Sequence, residues 1–484
     1  MRRIGTFIVF AVWIVLLVML VRREAPSDNT MLLPLADEGR VANRTSEDSW
    51  FSVYQGDRKI GWSHRTVTRG ADATIFRDES DLRLAMLGTE QPIQTSLTAR
   101  TDSNDNLESF RFRLLSPAAT FSAEGEIENN RLRVSHGTGD RRDEFELALD
   151  EPIHLPTTLR SQLDLWGAKA GDRYRTEVLS PFTMKREGVE ILINGRETIQ
   201  GPNGPVETVH ITQTQQGISA NSWIAQDGQT IREEASLGFR LQRSSPADAL
   251  ARADGNAPVD LALESRIPWP GTIENPRESE HLRLALGGSA ANKIPHDPPR
   301  QRVREGVLEI EREPTAGAPF NAEPPGEEFS RPSPFIESDA AEIVAQAKLI
   351  VGDETDPARK ATKLVEWVHR EMTQAPSVTL PSARAVLASR RGDCNEHAVL
   401  LAALARAAGI PARVVAGAVY ANDGFYYHAW DELWLGRWVS ADAIFGQMPA
   451  DATHIKILEG GPERHLELVE IVGQLEFKKI GNPS

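Results

Sequence analysis

The stretch Asp393-Cys394-Asn395-Glu396, followed by an alanine-rich apolar run to Ala408, leaves the chain few choices of local structure. Asp393 is a favourable N-cap, and Glu396 three residues on completes a capping box that satisfies backbone N–H groups of the first turn. Gly409 stands where a helix ends in a residue of positive φ, and Pro411 cannot continue the helix. The spacing predicts a helix over residues 394–408, with the chain's single cysteine on its first turn. Unpaired N–H groups and the positive dipole end favour a thiolate there. The carboxylates of Asp393 and Glu396 oppose it, and the sequence does not give the sign of the sum.

After Pro411 the pattern turns to strand: Ala412–Tyr420 is rich in Val and Ala, and Tyr426–Leu435 and Trp438–Ile444 follow after short turns. Successive strand residues point to opposite faces, so His428, Trp430, Glu432 and Trp434 share one face. Asp442 lies fourteen residues after His428. A turn near Leu435–Gly436 sets the two side chains opposite or diagonal to each other. Asp431 points to the other face, and Glu432 lies about 13 Å along the strand from His428. Cys394, His428 and Asp442 are therefore the candidate nucleophile, base and orienting carboxylate.

The segments GDCNEHAVLLAALARAAGIPAR, HAWDELWLGRW and VSAD resemble three blocks of the transglutaminase-like superfamily, whose fold is papain-like. The resemblance covers about the last 150 residues. It implies that Cys394 is the nucleophile, His428 the base and Asp442 the third member of the triad. Where many relatives carry proline after the aspartate, this chain has Ala443.

Two plainer readings compete. A lone cysteine is usually a small buried hydrophobe, but the capped helix start together with His428 and Asp442 favours an active thiol. Cys394 and His397 also have C-x-x-H spacing, which His428 could extend to a zinc set. No second cysteine exists, and the capping pattern already explains the residues around the thiol. No metal or other cofactor is expected, and no D-x-D-x-D-G calcium loop is present.

The chain has 484 residues, enough for two to four domains, with 40% apolar and 25% charged residues. Residues 1–23 hold four arginines and no acid, and the rest carries 50 basic against 69 acidic side chains. A net charge of −19 argues against nucleic acid as a partner. One cysteine excludes an internal disulfide. Ile4–Val21 is an almost wholly apolar run flanked by Arg2-Arg3 and Arg22-Arg23. As a helix it is roughly 27 Å long, just enough for a bilayer core. It is longer than a signal-peptide core and lacks a small-residue cleavage site, so residues 1–23 are expected as an uncleaved anchor. The N-terminus is then cytoplasmic and the body extracytoplasmic, in the periplasm.

Residues 24–47 read as a polar tether. Over 48–250 the chain is β-rich: Phe110-Arg111-Phe112-Arg113-Leu114 alternates apolar with charged residues, and turn signals recur at Gly56-Asp57, Asn129-Asn130, Asn194-Gly195 and Asp227-Gly228. An antiparallel curved sheet or open barrel is expected there. Residues 251–314 read as a small β module or an extension of that sheet, and 315–335 as a Pro-rich linker.

The domain 336–484 begins with helices. Asp339 and Glu342 suggest a capping box for a helix to about Ile350, Asp356-Pro357 opens a second, and Ser382–Ser389 is a short third. Helices followed by an antiparallel sheet make an α+β domain. The fold class expected is an N-terminal antiparallel β-rich domain plus this papain-like, transglutaminase-like one. The function implied is acyl transfer on peptide or isopeptide amides, with hydrolysis favoured over transamidation because water is always present. The partners are then a protein or peptide substrate and, through the N-terminal helix, a membrane. A non-catalytic peptide-binding or scaffolding protein that keeps the fold is the alternative.

Overall fold

The computed structural model describes residues 30–32, 46–86, 88–103, 105–117, 120–138, 142–159, 165–181, 186–215, 218–235, 238–252, 260, 266–314, 325–333, 335–375, 382–460, 468, 471 and 473–480. The expected anchor at 1–23 and most of the tether lie outside them. Among the described residues no helix is long and apolar enough to cross a membrane.

The N-terminal half is a 14-stranded antiparallel sheet made of two meanders. Eight strands run in order from Glu47–Gln55 to Asp143–Ala148, and six from Arg173–Leu179 to Phe239–Ser244. The last strand returns to the first, with Leu241 opposite Val53. A short parallel strand, Thr30–Leu32, adds to the edge at Arg173–Leu179. Along Leu107–Leu115 the apolar residues are buried and the arginines exposed, as the alternation requires. Phe110, Phe112, Phe121, Leu132 and Leu179 share one core, so strand curvature brings the two meanders together.

Local turn chemistry carries most of the register. Asn129 and Asn130 both take positive φ, the two-residue hairpin conformation that asparagine tolerates. Asn194-Gly195, expected as a turn, is instead a β-bulge inside the strand Arg186–Gly201, where the pairing shifts between Ile193 and Gly195. Gly195 takes a positive φ in the bulge, as a glycine does in a tight hairpin turn, so the dipeptide alone cannot separate them.

The helices that position the C-terminal half are α1 (Ala341–Val351), α2 (Pro357–Glu371), α3 (Ala383–Ser389) and α4 (Cys394–Ala407). Asp356 caps α2 with Pro357 at its first position, and Ser382 caps α3. The box expected at Asp339 and Glu342 does not form; α1 starts from Ala340 without a side-chain cap, and Glu342 instead binds Arg384. Its sheet comprises β1 (Ile267–Pro268), β2 (Ala412–Ala421), β3 (Gly424–Trp434), β4 (Trp438–Ala441) and β5 (His454–Glu459). The order is β1-β3-β2-β5, with β4 on the same edge of β3 as β1. Helix α4 is buried from Glu396 to Ala405 and packs on the other three helices and on β2 and β3. Its alanines allow that close approach.

The strands His281–Gly287, Gln301–Arg304, Val307–Glu311 and Glu476–Lys478 form a separate four-stranded sheet. Its Leu284, Leu308, Ile310 and Phe477 share a core with Ala418, Tyr420, Phe425 and Ile455 of the C-terminal strands. Arg300 pairs with Glu313 in the interior and reaches the carbonyls of Ala450 and Asp451. Glu313 in turn accepts from the backbone N–H and hydroxyl of Ser440.

Candidate active site

The thiol is presented by a short, fully specified start of α4. Asp393 accepts from the Asn395 N–H at 2.9 Å, and Glu396 accepts from the Asp393 N–H at 2.9 Å. Gly392 makes this possible: a Cβ there would lie 2.3 Å from the Glu396 side chain, so any larger residue expels the glutamate. Cys394 then lies against the middle of β3, near the Ala429 N–H, and the Tyr427 hydroxyl donates to Asn395 at 2.8 Å. Burial, with Asp393 second, pushes the thiol well above its ordinary value, and the Ala429 N–H only partly offsets this. The shift that the sequence left unsigned is upward. That direction disfavours a thiolate in the resting site.

His428 is held from three sides. Its Nε2 is 2.7 Å from Asp442 Oδ2, Trp430 lies parallel to the ring at 6.2 Å, and Phe445 sits 5.4 Å away. The register of β3 against β4 sets Asp431 opposite Ala441, so Asp442, one step past the strand, reaches His428 diagonally. Gly417 pairs with His428 on β2, and a Cβ there would meet the Ile455 carbonyl at 2.0 Å and the Trp430 ring at 2.9 Å. A glycine thus lets β5 and Trp430 close behind the histidine. Asp442 Oδ1 accepts from the N–H groups of Ile444 and Phe445 at 2.7 and 3.2 Å. Burial alone would raise this carboxyl, but His428 and His454 outweigh it and hold it far below the carboxylate range.

The neighbouring acids are occupied elsewhere. Glu432 binds Arg413 at 2.7 Å and Lys456 at 3.0 Å in a buried ion network. Asp431 is fully buried, its two oxygens accept no hydrogen bond, and burial, with Asp442 adding to it, raises its carboxyl well above the usual range. The zinc set suggested by the C-x-x-H spacing is not gathered. His397 Nδ1 bonds the Asp393 carbonyl at 2.7 Å, and among the described residues the group whose ligand atoms converge is His428, Asp442 and His454.

Sequence reasoning missed His454, Asp451 and Arg277. His454 Nε2 is 2.8 Å from Asp442 Oδ2, the same oxygen that His428 contacts. Asp451 faces the other side of that ring, and Arg277 pairs with Asp451 at 3.0 Å from far earlier in the chain. The signal available was a histidine at the start of an apolar run, His454-Ile455-Lys456-Ile457-Leu458. Nothing local distinguishes it from a solvated strand end.

A first-turn cysteine on a buried helix, against an antiparallel sheet that carries a paired histidine and aspartate, defines an α+β thiol-bearing domain. Residues 344–443 match the model of the Transglutaminase-like superfamily, so this part of the chain is a transglutaminase-like domain. The match takes in Cys394, His428 and Asp442 and ends short of Asp451 and His454. No curated protein matches the chain. Among solved structures, it is similar to a proposed cysteine protease from Cytophaga hutchinsonii, at 16% identity over 45% of this chain and 82% of that one, with a TM-score of 0.27. A β-barrel-like protein of a family of unknown function from Brucella abortus is 12% identical over 41% of this chain and 94% of its own, with a TM-score of 0.32. The periplasmic domain of TgpA from Pseudomonas aeruginosa, bound to ethylmercury, is 17% identical over 54% and 72%, with a TM-score of 0.22.

Proposed function

We propose that the chain is a membrane-anchored, extracytoplasmic cysteine enzyme that transfers acyl groups from peptide or isopeptide amides, using Cys394, His428 and Asp442. The observation that carries this reading is the 2.7 Å His428–Asp442 pair, with His428 on the strand against which the Cys394 helix packs. Asp442 occupies Nε2, which makes Nδ1 of His428 the base nitrogen. As the substrate carbonyl approaches, Nδ1 takes the thiol proton while Sγ forms the C–S bond. The Cys394 N–H, which at the first helical position has no intrahelical partner, is the donor proposed for the oxyanion. The C–N bond then breaks, Nδ1–H protonates the departing amine, and a thioester remains. Water, deprotonated by the same nitrogen, releases the acid, and hydrolysis is favoured over transamidation because no second acceptor site has to form.

With burial holding the thiol above its ordinary value, the base acts within the attack and not before it. Alkylation of Cys394 by iodoacetamide in the free protein should therefore be slow at neutral pH and rise only above the ordinary thiol range. The anchor rests on the Ile4–Val21 run and its arginine flanks; with two arginines on each side the charge rule gives no orientation, and the periplasmic location rests on the large folded body that the anchor carries. The deciding experiment incubates the full chain and Cys394→Ala with an extract of envelope peptides and follows cleavage by mass spectrometry. Species consumed by the wild type, with an acyl adduct trapped on Cys394, support the reading. Identical peptide profiles with retained peptide binding would instead establish the non-catalytic scaffold.

A further inference from the structure

His454 is fully buried, and both its nitrogens face only acceptors. Nε2 is 2.8 Å from Asp442 Oδ2, and Nδ1 is 3.2 Å from the Asp451 carbonyl and 3.3 Å from its Oδ1. An imidazole in that setting satisfies both contacts only with a proton on each nitrogen. Burial works against the charge, but the two aspartates outweigh it and raise the group above its ordinary value. Asp451 is itself held ionised, at about 2, by His454, Thr453 and Arg277 against its own burial. The fold thus favours the protonated imidazole beside the aspartate that pairs with His428.

Resting on the triad reading above, we propose that His454 is a positioning residue for this reaction: it pins Asp442 Oδ2 against His428 and takes up part of that carboxylate's charge. Asp442 has to orient His428 without holding the imidazolium so tightly that its proton cannot pass to the leaving amine. A carboxylate shared by two imidazoles meets both needs: the geometry is fixed from four directions, and the charge left for His428 is smaller. The other titratable groups facing Asp442 are His397 and Cys394 from α4, Asp431 from β3 and Arg277. Burial disfavours the charged form of His397, and Cys394 and Asp431 are acids that carry no positive charge in either form, so none of them supplies a cation. Arg277 is turned onto Asp451 and over the Phe445 ring. His454 is the cation in direct contact.

The test is an imidazole NMR titration of the full chain, with the His428 signal assigned by its loss in His428→Gln. In His454→Gln the amide still donates to Asp442 but carries no charge. The His428 midpoint should then rise by about one pH unit, a tenfold change in its proton affinity, while the thermal transition remains cooperative. If His454→Gln does not fold, Asp451→Asn serves instead, since it weakens the charge on His454 and should move His428 in the same direction. A His428 midpoint unchanged within about 0.2 unit in a folded variant would overturn the proposal and leave His454 as packing. The readout needs no turnover. An inert Cys394 would sink the triad reading and leave this coupling measurable, whereas an unmoved midpoint beside a dead Cys394→Ala would sink only the coupling.

Discussion

Two buried carboxylates eleven residues apart behave in opposite ways, and each can be tested on its own. Asp442 receives two imidazoles and two backbone N–H groups. Asp442→Asn deprives the buried His454 cation of half its compensation, so it should cost about 3–5 kcal/mol as well as most of the turnover, read by urea melts and peptide cleavage. The native carboxyl is depressed, so its stabilisation is present above the unfolded value near about 4 and is lost as pH falls below it. Asp431 has the reverse sign. Its carboxyl is raised, so the native state keeps a proton that the unfolded chain releases, and stability falls as pH rises above about 4. Asp431→Asn, neutral at every pH, should raise the melting temperature near pH 8 and leave it almost unchanged near pH 4. Equal effects at both pH values would show that Asp431 is ionised in the fold.

At the scale of elements, the site depends on strand β3 being clamped between β2 and β5 on one side and α4 on the other. Gly417 sets how closely β5 approaches, because a Cβ would collide with backbone at the Ile455 carbonyl and with the Trp430 ring. Gly417→Ala should cost about 1–3 kcal/mol of stability and displace His428 from Asp442. A folded variant with normal cleavage would show that β5 can move without disturbing the pair. The helix start was legible in the sequence because a capping box is a local, two-residue device. The box expected at Asp339 and Glu342 failed for a tertiary reason: Glu342 was drawn to Arg384 on α3.

Across the whole molecule, the C-terminal domain draws on chain well before the linker. Ile267 pairs with Phe425, Arg277 with Asp451, and Glu313 with Ser440. A chain of residues 266–484 should therefore fold cooperatively and keep the full-length alkylation profile of Cys394. Residues 336–484 alone should not, since Phe425, Ile455 and Asp451 would lose their partners. Circular dichroism melts of the two fragments check this, and a cooperative melt of the shorter one would show that residues 266–314 are dispensable for folding.

What the sequence determined by itself is whatever short-range chemistry can encode. It specified the capped helix that carries Cys394, the alternation that puts Asp431 and His428 on opposite faces of one strand, and the β-rich character of residues 48–250. It could suggest that Asp442 lies near His428, because a hairpin with a short turn has few registers. It could not show that Asn194-Gly195 is a bulge, that the thiol is shifted upward, or that His454 shares the Asp442 oxygen. Those follow from burial and from contacts between segments far apart in the chain. The charge a group carries depends on which partners remain after water has been excluded, and only the folded chain decides that.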